Sequence, residues 1–238
     1  MGIENDFLNA VQKLSREIEE HYKPYEDEDK RIISDGLVNG QEYNNSAIKI
    51  LWILKEPYDL DNEGEGGWSL TERLNDENKL ETLGGFKSTW YPIIYTSYSI
   101  LNSFVKYEDM NNIENDFSML NVLKSIAVIN VQKFAANTTT NDNDIKSAYK
   151  QHSRILLKQI LTYDPQIVIG GNVLWNFVDD LGLKDYHQYD EFDYWIKHDK
   201  LYINASHPST RGGNEIKEAY VNDISRIAKR YYQQLKKS

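Results

Sequence analysis

The 238-residue chain contains no cysteine, and this absence excludes several kinds of protein chemistry. It rules out disulfide bonds, a thiolate nucleophile, cysteine-based zinc sites and iron–sulfur clusters held by cysteine. Any metal would need histidine and carboxylate ligands, and the chain has only five histidines. We therefore expect no metal site.

Positive charge and long apolar runs are also scarce. The 27 lysines and arginines are outnumbered by 37 aspartates and glutamates, which gives a formal net charge of −10. This balance argues against a broad nucleic-acid-binding surface but leaves room for a local basic patch. No segment approaches the roughly 20 apolar residues of a membrane helix, and the N-terminus is acidic rather than a basic, apolar leader. We expect a cytoplasmic protein with no membrane partner.

The composition predicts one globular domain. Hydrophobic residues make up 40% of the chain and aromatic residues 12%, which is enough to form a full core at this length. We find no internal repeat and no linker rich in proline or serine. The predicted domain has an N-terminal helix and loop extension (residues 1–45), a motif-bearing core (46–213) and a C-terminal helix (214–238).

Four short runs of apolar and β-branched residues predict the strands of the core, at residues 48–54, 126–131, 167–170 and 201–205. Apolar residues at consecutive positions are typical of strands that are covered on both faces, as in a parallel sheet between helices. Helical patterns at 90–105, 143–162 and 173–181 alternate with the strands and favour βαβ crossovers. We predict a three-layer αβα fold with a central four-stranded parallel sheet in the order 2-1-3-4.

The ends of the predicted strands are where a site is expected, because ligands of open parallel sheets bind beyond the carboxyl ends of the strands. Each strand is followed by polar or glycine-rich residues. In chain order these are Lys55-Glu56-Pro57-Tyr58-Asp59 with a glycine-rich segment that ends in Trp68, then Asn130-Val131-Gln132-Lys133, Gly170-Gly171-Asn172, and Ser206-His207-Pro208-Ser209.

The order of these motifs resembles that of the uracil-DNA glycosylase superfamily over about residues 46–213. The segment Leu-Lys-Glu-Pro-Tyr-Asp at 54–59 is similar to the first motif, which reads Gly-Gln-Asp-Pro-Tyr-His in one branch. His207-Pro208-Ser209 matches the His-Pro-Ser of the final motif. Asn130 lies where the family has an asparagine that reads the base, and Asp164-Pro165 precedes a strand that resembles the third strand of the family.

The chain also departs from the characterised branches. Glu56 replaces a catalytic aspartate of one branch, Asp59 replaces a histidine, and Leu54 replaces a glycine. The final motif continues with Thr-Arg-Gly-Gly instead of the Pro-Leu-Ser that enters DNA, and the branches with an iron–sulfur cluster are excluded by the missing cysteines. The resemblance therefore points to an uncharacterised branch of the superfamily.

This resemblance implies a hydrolase of DNA base-excision repair that needs no cofactor: a DNA N-glycosylase that binds a flipped uracil or related base and hydrolyses its N-glycosidic bond. Glu56 would stabilise the positive sugar and orient or deprotonate water, and His207 would donate to the oxygen of the departing base. Asn130 would read the edge of uracil with both halves of its amide. Trp68 would stack on the base, and Tyr58 would close the pocket against a 5-methyl group.

The expected partner is DNA, either single-stranded or a damaged duplex. We predict that a small set of residues near the strand ends contacts its phosphates: Lys55, Lys87, Lys133, Ser209 and Arg211. Arg73 is a further basic residue near this face. These cations are equally compatible with an ordinary solvated surface.

Two other functions are consistent with the sequence. The acidic composition and the altered first motif favour a non-catalytic module that binds a nucleobase, a nucleotide or a protein partner. A metal-dependent hydrolase could use Glu56, Asp59 and His207, although a single histidine makes a weak transition-metal site. The simpler roles are a surface carboxylate for Glu56, a histidine bonded to the backbone for His207 and a strand cap for Asn130. The other four histidines (His21, His152, His187 and His198) are assigned to structural or surface positions.

Overall fold

The computed structural model describes residues 2–59, 64–76, 80, 86–135, 141–209 and 214–236. Within these residues the chain has an α/β fold with a mixed seven-stranded sheet in the order β1-β3-β2-β4-β7-β6-β5. The strands are β1 (Gly36–Leu37), β2 (Ile50–Leu54), β3 (Ile126–Asn130), β4 (Ile167–Gly171), β5 (His187–Tyr189), β6 (Phe192–Lys197) and β7 (Lys200–Ala205).

The four strands predicted from apolar runs form the parallel centre of the sheet. They are β2, β3, β4 and β7, and their spatial order β3-β2-β4-β7 is the predicted order 2-1-3-4. Every residue of β2, β3 and β4 is buried, which explains the consecutive apolar positions. The register pairs Leu54 with Asn130 and Gly171 with Ala205, so the carboxyl ends of these strands lie at the same edge.

The prediction of a sheet with only four parallel strands was wrong. β1 pairs antiparallel with β3 at one edge, and β6 and β5 extend the other edge antiparallel to β7. β1 has only two residues and therefore shows no pattern. The β6–β7 turn is formed by His198 and Asp199 with φ of 47° and 55°, a left-handed pair that usually contains asparagine or glycine. The hairpin signal was therefore missing from the sequence.

Helices cover both faces of the sheet. They are α1 (Gly2–Tyr22), α2 (Gly40–Asn45), α3 (Leu70–Asn75), α4 (Tyr91–Leu101), α5 (Asp142–Tyr163), α6 (Val178–Leu181) and α7 (Asn214–Leu235). Short 3-10 helices lie at Lys23–Tyr25, Tyr107–Asp109, Phe117–Ser125 and Leu174–Asn176, with a π-helical turn at Phe86–Trp90. None of the helices within the described residues combines the length and apolarity needed to cross a membrane.

The sheet lies between two hydrophobic cores. Trp52 and the other even-numbered residues of β2 lie on one face of the sheet and pack with α4 and α7. Leu51 and Ile53 lie on the opposite face and pack with α1 and α5. The predicted helix at 143–162 is confirmed with one more residue at each end, and the helix at 90–105 ends earlier, at Leu101. The pattern at 173–181 is divided between the 3-10 helix at Leu174–Asn176 and α6.

The N-terminal segment contains more secondary structure than the helix and loop extension that we predicted. Residues 23–45 contain a 3-10 helix, β1 and α2. Residues 31–34 also form backbone hydrogen bonds on two sides: the amide of Ile33 donates to Lys133 O (2.9 Å), and that of Ser34 donates to Trp68 O (3.1 Å). The segment therefore builds one wall beside the carboxyl ends of β2 and β3.

Candidate active site

The carboxyl ends of β2, β4 and β7 meet around Gly171. A Cβ atom added to this glycine would lie 3.1 Å from Cδ of Pro208, 3.4 Å from Cδ2 of Leu54 and 3.5 Å from Cδ2 of His207. The ring of His207 therefore packs directly against the end of β4, close to the end of β2. Since Glu56 is two residues beyond Leu54, the structure brings both predicted catalytic residues to the same edge of the sheet.

The hydrogen bonds of His207 determine the tautomer of its neutral ring. Nδ1 lies 2.7 Å from Oγ of Ser209 and accepts from the backbone N–H of Ser209 at 3.3 Å. A backbone N–H can only donate, so Nδ1 is the acceptor and the proton of the neutral ring is on Nε2. Ser209, which we predicted to contact phosphate, is placed here as the partner that orients His207.

The surroundings of His207 also keep it uncharged. Burial and, to a smaller extent, the positive charge of Lys55 lower the pKa of His207 from 6.5 to about 4. Near pH 7 the ring is therefore neutral and offers an N–H donor at Nε2. The side chain of Lys55 is 15% exposed, and its Nζ pairs with Oδ1 of Asp142 at 2.6 Å. Lys55 is thus a cation beside His207 that is held by the first residue of α5.

The first motif forms a turn that continues from β2. Glu56 is half-buried, with Oε1 shielded from solvent, and the following Pro57 is buried. Tyr58 is 41% exposed and follows Glu56 and Pro57 at the surface. Asp59 is buried again: its Oδ2 accepts from the amide of Gly66 at 2.8 Å. Asp59 therefore closes the loop that leads from the first motif to Trp68.

Asn130 lies at the end of β3 and is buried. Its backbone N–H donates to Oδ2 of Asp35 at 2.7 Å, and its side-chain Nδ2 reaches the same oxygen at 3.4 Å. Asp35 could not be identified from the sequence, because this residue lies in a segment without a motif, 95 positions before its partner. The order β3-β2-β4-β7 separates Asn130 from His207 by three strand spacings, about 14 Å.

Lys133 has an internal position that our prediction did not foresee. Its side chain is 1% exposed, and its Nζ forms an ion pair with Asp35 at 2.7 Å. The same ammonium group donates to Asn130 O at 3.1 Å and to Oε1 of Gln159 at 2.9 Å. These acceptors surround the buried charge, so Lys133 does not belong to a phosphate-binding surface.

The remaining residues that we predicted to contact DNA do not form one group in the described part of the structure. The guanidinium group of Arg73 lies 4.0 Å from the ring centre of Trp68 and covers one face of the indole, and the partly buried indole also packs against the core that contains Trp52. Lys87 is 69% exposed and pairs with Glu114 at 2.5 Å. Arg211 lies outside the described residues.

The other histidines have structural or surface positions. Nε2 of His21 on α1 lies 3.0 Å from Nδ1 of His152 on α5, so this pair links two helices. His187 is exposed on β5, and His198 forms the β6–β7 turn. Across the part of the chain that the structure describes, no three histidine, aspartate or glutamate side chains are grouped so that they could hold a metal ion.

Gly66 is expected to be essential for the loop that carries Trp68. It has φ of +73°, and a Cβ atom there would collide with the carbonyl oxygen of Arg31. Gly66→Ala should lower the free energy of unfolding by about 2–4 kcal/mol, from the backbone conformation and the steric overlap together. Gly64→Ala is the matched control, because Gly64 has φ of +86° but nothing within 4 Å of the added atom. Equal losses in urea unfolding would contradict the steric argument.

No protein-family model matches the chain, and a search of curated proteins finds none with significant similarity. The case for a function therefore rests on the arrangement of the site.

Proposed function

We propose that the chain is a DNA N-glycosylase, related to the uracil-DNA glycosylase superfamily, that hydrolyses the bond between deoxyribose and a flipped uracil or related base. The observation that carries the proposal is the neutral His207 with its proton on Nε2, packed against the strand ends beside the turn that bears Glu56. The expected substrate is uracil-containing DNA, with the base held between Asn130 and His207.

The chemistry of the reaction requires two groups of opposite character. As the C1′–N1 bond breaks, its electron pair leaves with the base and positive charge develops on the sugar. A neutral N–H donor at His207 stabilises the negative base, and the carboxylate of Glu56 stabilises the sugar and orients the water that bonds to C1′. The water proton passes to Glu56 or to solvent, and the departed base takes a proton from solvent.

Lys55 supports the same reaction. Its charge helps to keep His207 neutral, so the donor is present at neutral pH without a protonation step. A positive charge close to His207 also favours the negative charge that develops on the base. In this proposal Lys55 stabilises the departing base. A phosphate contact of Lys55 would compete with its ion pair to Asp142.

A second candidate function is a non-catalytic module that binds a nucleobase or nucleotide. It is favoured by the state of the predicted DNA-binding cations: Lys55, Lys87 and Lys133 each pair with a carboxylate. Released counterions supply much of the affinity for DNA, and cations already paired within the protein contribute little of this. Such a module would keep the base pocket without excising a base.

Base excision is the direct test. The purified protein is incubated with single-stranded and duplex oligonucleotides that contain one uracil, and alkali then reveals abasic sites. We expect cleavage by the wild type and a loss of at least about 100-fold in Glu56→Gln, which keeps the shape but removes the charge. Glu28→Gln is the control, since Glu28 is an exposed residue of the acidic segment before the site.

The possible outcomes separate the two candidates. Strong cleavage that Glu56→Gln leaves intact would remove Glu56 from the mechanism. Binding of free uracil without any cleavage would favour the binding module, and neither cleavage nor binding would contradict both.

A further inference from the structure

The carboxylate of Asp35 is the centre of a buried polar cluster beneath Asn130. Asp35 directly precedes β1, and its side chain is turned inward with 1% exposure. Oδ1 and Oδ2 lie 2.7 and 2.8 Å from Nζ of Lys133, and Oδ1 accepts from Nε2 of Gln159 at 3.3 Å. Oδ2 also accepts from the backbone N–H of Asn130 at 2.7 Å and faces its side-chain Nδ2 at 3.4 Å.

This arrangement fixes which way the amide of Asn130 points. A side-chain amide rotates readily between two orientations that exchange its oxygen and nitrogen. An ionised carboxylate only accepts hydrogen bonds, so the NH2 half of Asn130 must face Asp35. The rotated amide would place its oxygen about 3.4 Å from Oδ2, where two acceptors repel each other. Lys133 holds the carboxylate in place through the ion pair.

We propose that Asp35 determines base specificity by fixing the donor and acceptor order of the Asn130 amide. This inference rests on the proposed function in one respect, that Asn130 contacts the base. With the NH2 half held by Asp35, Oδ1 and the second N–H of Asn130, a residue that is 1% exposed, are the groups that would meet the base in this proposal. They match a base edge on which a carbonyl oxygen stands next to a ring N–H, as in uracil.

The same geometry excludes an edge of the opposite order. Cytosine carries an amino group next to an unprotonated ring nitrogen, and it would pair well only with the rotated amide. Because Asp35 prevents this rotation, bound cytosine would leave buried polar groups without partners. We expect a preference for uracil of about 10- to 100-fold from this effect.

The test removes the directing charge and keeps the site neutral. Asp35→Asn alone would leave the ammonium group of Lys133 without its counter-ion, so the main variant is Asp35→Asn combined with Lys133→Met. An asparagine at position 35 can face either half of the Asn130 amide. Two quantities are measured for uracil and cytosine: kcat/KM on matched single-stranded oligonucleotides, and the Kd of the free base by calorimetry.

We expect the preference for uracil over cytosine, measured as the ratio of the two kcat/KM values or of the two affinities, to fall by at least about 10-fold in the double variant. The value for cytosine should rise, while that for uracil should fall only slightly. Lys133→Met alone keeps the acceptor at position 35. The folded fraction of this variant should retain the wild-type preference for uracil over cytosine. A double variant that loses uracil and cytosine equally would show a purely structural role and overturn the inference.

The calorimetric measurement separates this inference from the proposed function. If the wild type cleaves no DNA but binds uracil better than cytosine, the glycosylase proposal fails and the specificity argument is judged on the change in Kd. A wild type without any preference between the two bases would overturn the inference, and a wild type that neither cleaves nor binds them would overturn both.

Discussion

His207→Ala is expected to lower the rate of uracil excision by at least about 100-fold, the usual effect of removing one donor to a developing negative charge. The substitution removes the Nε2–H that the contacts of Ser209 leave as the donor of the neutral ring. The fold should persist, because His207 is only half-buried and lies in the loop that follows β7. The measurement is single-turnover excision, with the circular dichroism spectrum as a check on folding.

Ser209→Ala is the matched control for this prediction. It removes the hydroxyl group that lies 2.7 Å from Nδ1 but keeps the backbone N–H that fixes the tautomer. We therefore expect a loss well below that of His207→Ala. If His207→Ala retained activity within a few-fold of the wild type, His207 would have no part in the chemistry.

The pH dependence gives a second check on the same residue. The pKa of His207 is lowered to about 4 by burial and by Lys55, whereas the unfolded chain has the ordinary value of 6.5. The protein therefore has the full stability contribution of the neutral ring above about pH 6.5 and loses it as the pH falls towards 4. Excision should show no titration of His207 near pH 6.5, and its decrease with acid should begin close to pH 4.

The centre of the fold could be predicted from the sequence because burial on both faces leaves a visible pattern. Residues Ile50–Leu54, Ile126–Asn130 and Ile167–Gly171 consist mostly of apolar side chains without alternation, a pattern that is typical of a sheet between two helical layers. Their alternation with helices then limits the strand order to a few topologies. The polar residues after each strand predict a site at that edge of the sheet.

The strands at the edges of the sheet could not be predicted, because their sequences show no long run of consecutive apolar residues. β1 has too few residues for a pattern, and β5 and β6 lie in or beside an acidic stretch that is typical of a solvated surface. Pairing with β7 buries Trp195 against Tyr202, a contact that depends on the three-dimensional register and not on local composition. The sequence of this segment is therefore typical of a polar surface loop, although its residues form strands.

The internal pair of Asp35 and Lys133 was beyond sequence reasoning as well. Lysine is rarely buried, so a lysine after a strand end is normally placed at the surface. Its partner is 98 residues away and lies in a segment that shows no motif. Only the tertiary structure brings the two charges together, and it changes the role of Lys133 from a DNA contact to a support for the end of β3.

Lys133→Met is expected to lower the free energy of unfolding by about 3–5 kcal/mol, the usual cost of removing one partner from a buried ion pair. The substitution leaves the carboxylate of Asp35 in the interior with only neutral donors, the amides of Asn130 and Gln159. It also removes the donor to Asn130 O and to Gln159, so the end of β3 loses part of its anchoring to α5. Urea unfolding followed by tryptophan fluorescence measures the effect.

The double variant Asp35→Asn/Lys133→Met gives the decisive comparison, because replacing both charges of a buried pair costs much less than removing one. We expect the double variant to be more stable than Lys133→Met alone, and the two single substitutions to be strongly non-additive. Lys87→Met serves as a control for the loss of a surface ion pair, since both Lys87 and Glu114 are at least half exposed, and its effect should be much smaller. If the losses in the free energy of unfolding of the two single variants add up to the loss in the double variant, Asp35 and Lys133 are not coupled. The end of β3, and with it the position of Asn130, would then have to be stabilised by contacts other than this ion pair.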